Sequence, residues 1–149
     1  MKKILLIMTI ICTVVVTSAM VWAFSPKKNL KPSEYNIGTT YELAIKEKKP
    51  IIALFYADWC TYCMRFMPKY KIIADVYKDK YNFVMINADD QHYVNLVKDY
   101  SIEGFPTMYI IDPTIDNRIS ISNAIYDNLS KLRVEFDRYL RIRSMIKGL

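Results

Sequence analysis

The sequence predicts an α/β fold, a sheet of mixed strand direction sandwiched between helices. Three observations predict it. Residues 51–56, Ile-Ile-Ala-Leu-Phe-Tyr, form an unbroken apolar run. A strand apolar on both faces belongs in the middle of a sheet that is covered on each side. Two more short apolar runs follow, at 83–87 and 107–111. The segments between these runs carry helical spacing, and strands alternating with helices place the helices on the faces of the sheet. A length of 149 residues allows one domain and a short extension.

Taken in order, the chain opens with Lys2 and Lys3 and then runs without a charge from Ile4 to Phe24. A basic start, an apolar middle and small residues afterwards describe a secretory signal, with Val21-Trp22-Ala23 or Thr17-Ser18-Ala19 as its end. The same stretch is long enough to cross a bilayer core of about 30 Å, so an uncleaved anchor is the second reading. Both place residues 1–23 as a signal peptide or membrane anchor and the rest outside the cytoplasm, because the lysines stay inside. Cys12 reads as an apolar residue of this stretch, since the bulky Ile11 before it does not suit a lipidation site. Residues 24–38, polar with Pro26 and Pro32, read as a linker.

The folded domain is expected over 39–149. Thr39-Thr40 is a capping signal for a short amphipathic helix over 41–48, with Tyr41, Ala44 and Ile45 on its apolar side. The strand at 51–56 leads into a helix over 61–77, which Pro68 should bend by removing a backbone donor. A strand at 83–87 and a helix over 91–100 follow, with Val94 and either Leu96 or Val97 facing inward. The strand at 107–111 is closed by Asp112-Pro113. An edge strand at 119–122 follows the Asp116-Asn117 turn. Leu129, Leu132, Phe136 and Leu140 recur at three- and four-residue steps and mark a final amphipathic helix. The chain shows no internal repeat or low-complexity segment.

Twenty-one Lys and Arg against fifteen Asp and Glu give a net charge of +6. No basic block interleaves with aromatics, which argues against a nucleic-acid partner. Three cysteines are too few for a disulfide-rich scaffold, and Cys60 and Cys63 are the only two of the expected domain. They stand as Cys-x-x-Cys where the first strand gives way to a helix. The helix N-terminus favours an anion, so Cys60 should be the nucleophile; cysteines so placed titrate at roughly 3.5–7.5. One turn on, Cys63 lies on the same face and within disulfide reach, able to resolve a mixed disulfide. Competing readings are half of a zinc site, for which only His92 remains as a donor, and a permanent structural disulfide. Haem attachment would need a His at position 64, where Met stands. His92 reads as a helix-surface residue, Asp58 as a solvated acid, and Trp59 as either a frame for the site or a partly buried core aromatic.

The block Phe55-Tyr56-Ala57-Asp58-Trp59-Cys60 resembles the strand end and Trp-Cys entry of the thioredoxin superfamily. Its Tyr-Ala-Asp-Trp-Cys wording is most similar to the C-terminal thioredoxin-like domain of bacterial membrane thiol:disulfide interchange reductases. Pro68 falls where that family kinks its active-site helix. Ile86-Asn87-Ala88-Asp89 resembles its next strand, and residues 100–107, Tyr-Ser-Ile-Glu-Gly-Phe-Pro-Thr, its cis-proline loop. The resemblance implies a thioredoxin-like three-layer sandwich. It implies a cis bond before Pro106, with Phe105, Pro106 and Thr107 presenting the substrate beside Trp59. Two departures stand out: a buried Asp of the family aligns with Leu54, and its accompanying Lys with Met85. The family's late glycine aligns near Asn123.

The expectation is therefore an exported thiol:disulfide oxidoreductase, more a reductant than an oxidant because Tyr62 cannot donate from a cation. It would need no cofactor or metal. Its partners would be disulfide-containing extracytoplasmic proteins and an electron donor of membrane or thioredoxin type. Its place would be the periplasm or the outer face of the cytoplasmic membrane, with residues 4–24 as a tether if uncleaved. The alternatives are a disulfide oxidase or isomerase, and a redox-inactive binding module.

Overall fold

A computed structural model describes residues 30–148, so the expectations placed on residues 1–29 lie outside it. Four strands form one sheet: β1 (Ile51–Tyr56), β2 (Asn82–Asn87), β3 (Thr107–Asp112) and β4 (Asn117–Ile121), in the order β2-β1-β3-β4. β1 runs parallel to β2 and antiparallel to β3, and β4 is antiparallel to β3. The sheet is thus mixed, as expected. The helices are α1 (Tyr41–Ala44), α2 (Thr61–Tyr77), α3 (Val94–Asp99) and α4 (Leu129–Lys147).

The two-residue period of β1 divides the core. Ile52 and Leu54 face α2 and α4, where Phe66, Met67, Tyr70, Ile73, Leu132 and Phe136 close over them. Ile51, Ala53 and Phe55 face the opposite layer, with Ala44, Val84, Ile86 and Tyr100. Every residue of β1 is buried, the mark of a central strand with both faces covered. Each fully buried Leu, Ile or Phe contributes about 1.5–3 kcal/mol.

Tyrosine is plentiful here, and the core accommodates it by directing hydroxyls at backbone carbonyls. Tyr70 donates toward the carbonyls of Ile52 and Val84 at 3.2 Å each, and Tyr81 donates to Phe136 at 2.7 Å. Among the described residues no buried side-chain polar atom lacks a partner.

The structure redraws some expected boundaries. The expected helix over 41–48 shortens to the single turn α1, because Ile45, Lys46, Glu47 and Lys48 are all exposed and give a longer helix nothing to pack on. The expected helix over 91–100 opens as a 3₁₀ turn, Gln91–Tyr93, capped by the Asp90 carboxylate on the His92 N–H, and becomes α-helical only from Val94. Leu96 and Val97 pack on the core, whereas Val94 is exposed. α2 continues through Pro68. The expected linker is partly folded. Pro32–Tyr35 forms a 3₁₀ turn with Pro32 buried, and Ile37 enters the main core. Gly38, at φ +77°, lies so close to β2 that a Cβ there would sit 1.9 Å from the Phe83 carbonyl oxygen. That close passage lets the Thr39 N–H reach the same carbonyl at 2.9 Å.

Candidate active site

β1 ends at Tyr56, and Ala57-Asp58-Trp59 turns the chain into α2. The Cys60 N–H donates to the Ala57 carbonyl at 3.2 Å, which tightens this turn. Cys60 is the N-cap of α2, with extended backbone angles. Its sulfur does what a Ser or Asp oxygen does at other helix starts: it accepts the Cys63 N–H at 3.1 Å. Cys60 and Cys63 are joined as a disulfide with their Cα atoms 5.2 Å apart. Cys60 keeps a 5% exposed edge, while Cys63 is fully buried beneath it. When the pair is reduced, the N–H bond and the helix N-terminus both favour a thiolate at Cys60.

The surroundings are apolar. Tyr56 and Ala57 pack with both cysteines, and Met85 and Phe105 close the cluster. Leu54 is fully buried and is the register partner of Met85 across the β1–β2 ladder. The two positions where the resemblance leads one to look for charges are therefore neighbours, and both are apolar. Neither can accept a proton from Cys63.

The 105–107 segment comes to the cysteines from β3. The Phe105–Pro106 bond is cis, and the Phe105 carbonyl oxygen lies 3.6 Å from Cys60 Sγ. Thr107 opens β3 opposite Phe55 and directs its hydroxyl to the Gly104 carbonyl at 2.7 Å. Trp59 is 67% exposed and packs edge-on against Phe105, with ring centroids 6.0 Å apart. Its indole N–H donates to Asp89 at 2.9 Å. Asp58 is not simply solvated: it accepts the Ser33 N–H and hydroxyl at 3.0 and 2.7 Å, tying the N-terminal turn to the cysteine loop. His92 is exposed, pairs with Glu42 at 2.9 Å, and belongs to the surface beyond β2. The Trp59–Asp89 and Asp58–Ser33 bonds escaped the sequence reading, because they join separate segments and no local spacing announces them. Among the described residues no group of three or more His, Cys, Asp or Glu is arranged to hold a metal.

A strand-to-helix Cys-x-x-Cys disulfide facing a cis-proline loop, on a mixed sheet of this order, defines a class of disulfide-exchange folds. The chain belongs to the thioredoxin family, whose model matches residues 34–132. Its Cys60–Cys63 pair is that of a thioredoxin-like thiol:disulfide oxidoreductase. It is 39% identical over 72 residues to the thioredoxin-like protein HCF164, chloroplastic, of Arabidopsis thaliana, a match covering 48% of this chain and 28% of that protein. It is 38% identical over 68 residues to the thiol:disulfide interchange protein TxlA of Synechococcus elongatus, covering 46% of this chain and 36% of that one. The matches thus span about a third or less of these relatives. Among solved structures, thioredoxin f from spinach chloroplast superposes with a TM-score of 0.52 at 25% identity, covering 63% of this chain and 82% of that one.

Proposed function

We propose that the chain reduces disulfides of extracytoplasmic proteins through Cys60 and Cys63. The observation that carries this reading is the position of Cys60 Sγ. It caps α2, accepts the Cys63 N–H, and lies 3.6 Å from the Phe105 carbonyl. In the reduced protein the Cys60 thiolate attacks one sulfur of a substrate disulfide. A mixed disulfide forms, and the other substrate sulfur leaves as a thiolate. Cys63, deprotonated, then attacks Cys60 Sγ and releases the second substrate sulfur. Two electrons pass to the substrate, and the Cys60–Cys63 disulfide is left behind. The Cys63 proton goes to water or to the departing substrate thiolate, since Leu54 and Met85 cannot take it. A donor dithiol protein reverses the cycle.

The exposed Trp59 and the half-buried Phe105 form an aromatic ledge beside the disulfide, and an extended substrate strand lying along residues 105–107 reaches Cys60 from that side. Export is supported by Lys2, Lys3 and the uncharged stretch after them. None of the described helices is long and apolar enough to cross a membrane. The test is insulin reduction with the full chain. Cys60→Ser is expected to abolish turnover, and Cys63→Ser to hold substrates as stable mixed disulfides. Undiminished turnover in Cys60→Ser would overturn the reading, and failure of Cys63→Ser to trap any protein would favour the binding module.

A further inference from the structure

Next to the disulfide a groove of about 410 Å³ opens between α2 and the turn before α4. Phe105 and Pro106 line its cysteine end, which fixes its place: the Phe105 carbonyl is in contact with Cys60 Sγ. Tyr62, Arg65 and Phe66 form one wall. They share a helix face by their three- and four-residue spacing. Phe66 is buried and stacks on Tyr126 at 5.0 Å between centroids, which gives the groove an apolar floor. Tyr126 is fixed in turn, accepting the Met108 N–H at 2.7 Å and donating to the Ile121 carbonyl at 3.0 Å.

Arg65 and Asp127 are the charged residues lining the groove, one of each sign, and they are not paired with each other. Asp127, on the far wall, is paired with Lys69. Arg65 is exposed, and its guanidinium lies 5.9 Å from the Tyr62 ring centroid. It takes part in none of the ion pairs among the described residues. A lone guanidinium over an aromatic ring, beside an apolar floor and a reactive disulfide, suits a substrate carboxylate, which it can grip with two parallel N–H bonds.

We infer that Arg65 makes this groove a specificity site, favouring substrate segments that carry an Asp or Glu close to the cysteine under attack. The inference rests on the oxidoreductase reading and adds a substrate class to it. Arg65 acts by positioning the segment; it takes no part in the exchange of sulfurs.

The test uses the pre-reduced full chain in single turnover. The probes are three disulfide-linked peptide dimers that differ only in one residue near the cysteine: Asp, Ser or Lys. The Asp peptide is expected to react about threefold to tenfold faster than the Lys peptide at low salt. About 0.5 M salt should compress that ratio. Arg65→Gln should bring it close to one, and Arg65→Glu should invert it. Lys78→Gln removes a surface cation at the other end of the sheet and should leave the ratio as it is. Equal rates for the three peptides would overturn the inference while the oxidoreductase reading stands. A ratio that falls as far in Lys78→Gln as in Arg65→Gln would also overturn it, because net charge and not the groove would then select. If none of the peptides is reduced, the oxidoreductase reading fails and takes this inference with it.

Discussion

Asp112 is the most committed charge among the described residues. It is completely buried at the end of β3 and accepts from the Arg143 guanidinium, the Thr114 N–H and hydroxyl, and the Tyr139 hydroxyl. Burial alone would raise its pKa, but the hydrogen bonds from Arg143 and Thr114 outweigh that and hold it below the usual carboxylate range. A carboxyl depressed in the folded state adds stability that is present above the unfolded value of about 3.9 and vanishes as pH falls through the lower folded value. Arg143→Met strands this carboxylate and is expected to cost about 3 kcal/mol at neutral pH by urea unfolding. The deficit should narrow as pH falls toward the carboxylate range, because the buried carboxyl without Arg143 takes up a proton at higher pH than the paired one. A deficit independent of pH would contradict this account. Leu54 and Met85 allow a second test of the same physics. Leu54→Asp buries an unpaired charge and should lower stability by several kcal/mol, about 3 or more, while adding Met85→Lys should recover part of the loss. At this scale the sequence was legible only where residues act locally. Cys60 and Cys63 could be read from their spacing. Asp112 read merely as the close of a strand, because its partner Arg143 stands 31 positions away with no pattern linking them.

Among the elements, α2 carries the chemistry and α4 the support. Phe136 of α4 is fully buried and meets the rings of Tyr77, Tyr81 and Phe83. Phe136→Ala should cost about 3–5 kcal/mol and lower the melting temperature accordingly. The cap of α4 is an independent and smaller term. Asn128 accepts the Lys131 N–H at 3.0 Å, and Asn128→Ala should cost about 1 kcal/mol without moving the redox potential. The final helix could be read from Leu129, Leu132, Phe136 and Leu140, because a periodic apolar stripe is a property of the segment itself. The length of α1 could not. Tyr41, Ala44 and Ile45 have helical spacing, yet only Ala44 finds a buried site, and that depends on where β2 and α3 stand.

For the molecule as a whole, helices on both faces of the sheet were legible because an all-apolar β1 admits no exposed face. The strand order β2-β1-β3-β4 was not legible, because it rests on pairings between segments far apart in the chain. The folded start of the domain was missed for a physical reason: Pro32 and Ser33 look like linker residues, but Pro32 is buried and Ser33 ties itself to Asp58 beside the active site. The most direct test of the central claim is the rate of thiol alkylation at neutral pH, read peptide by peptide on the reduced protein. Cys60 should react well ahead of free cysteine, with Cys63 protected until the chain unfolds. A Cys60 no faster than free cysteine, or a Cys63 that reacts first, would contradict the account.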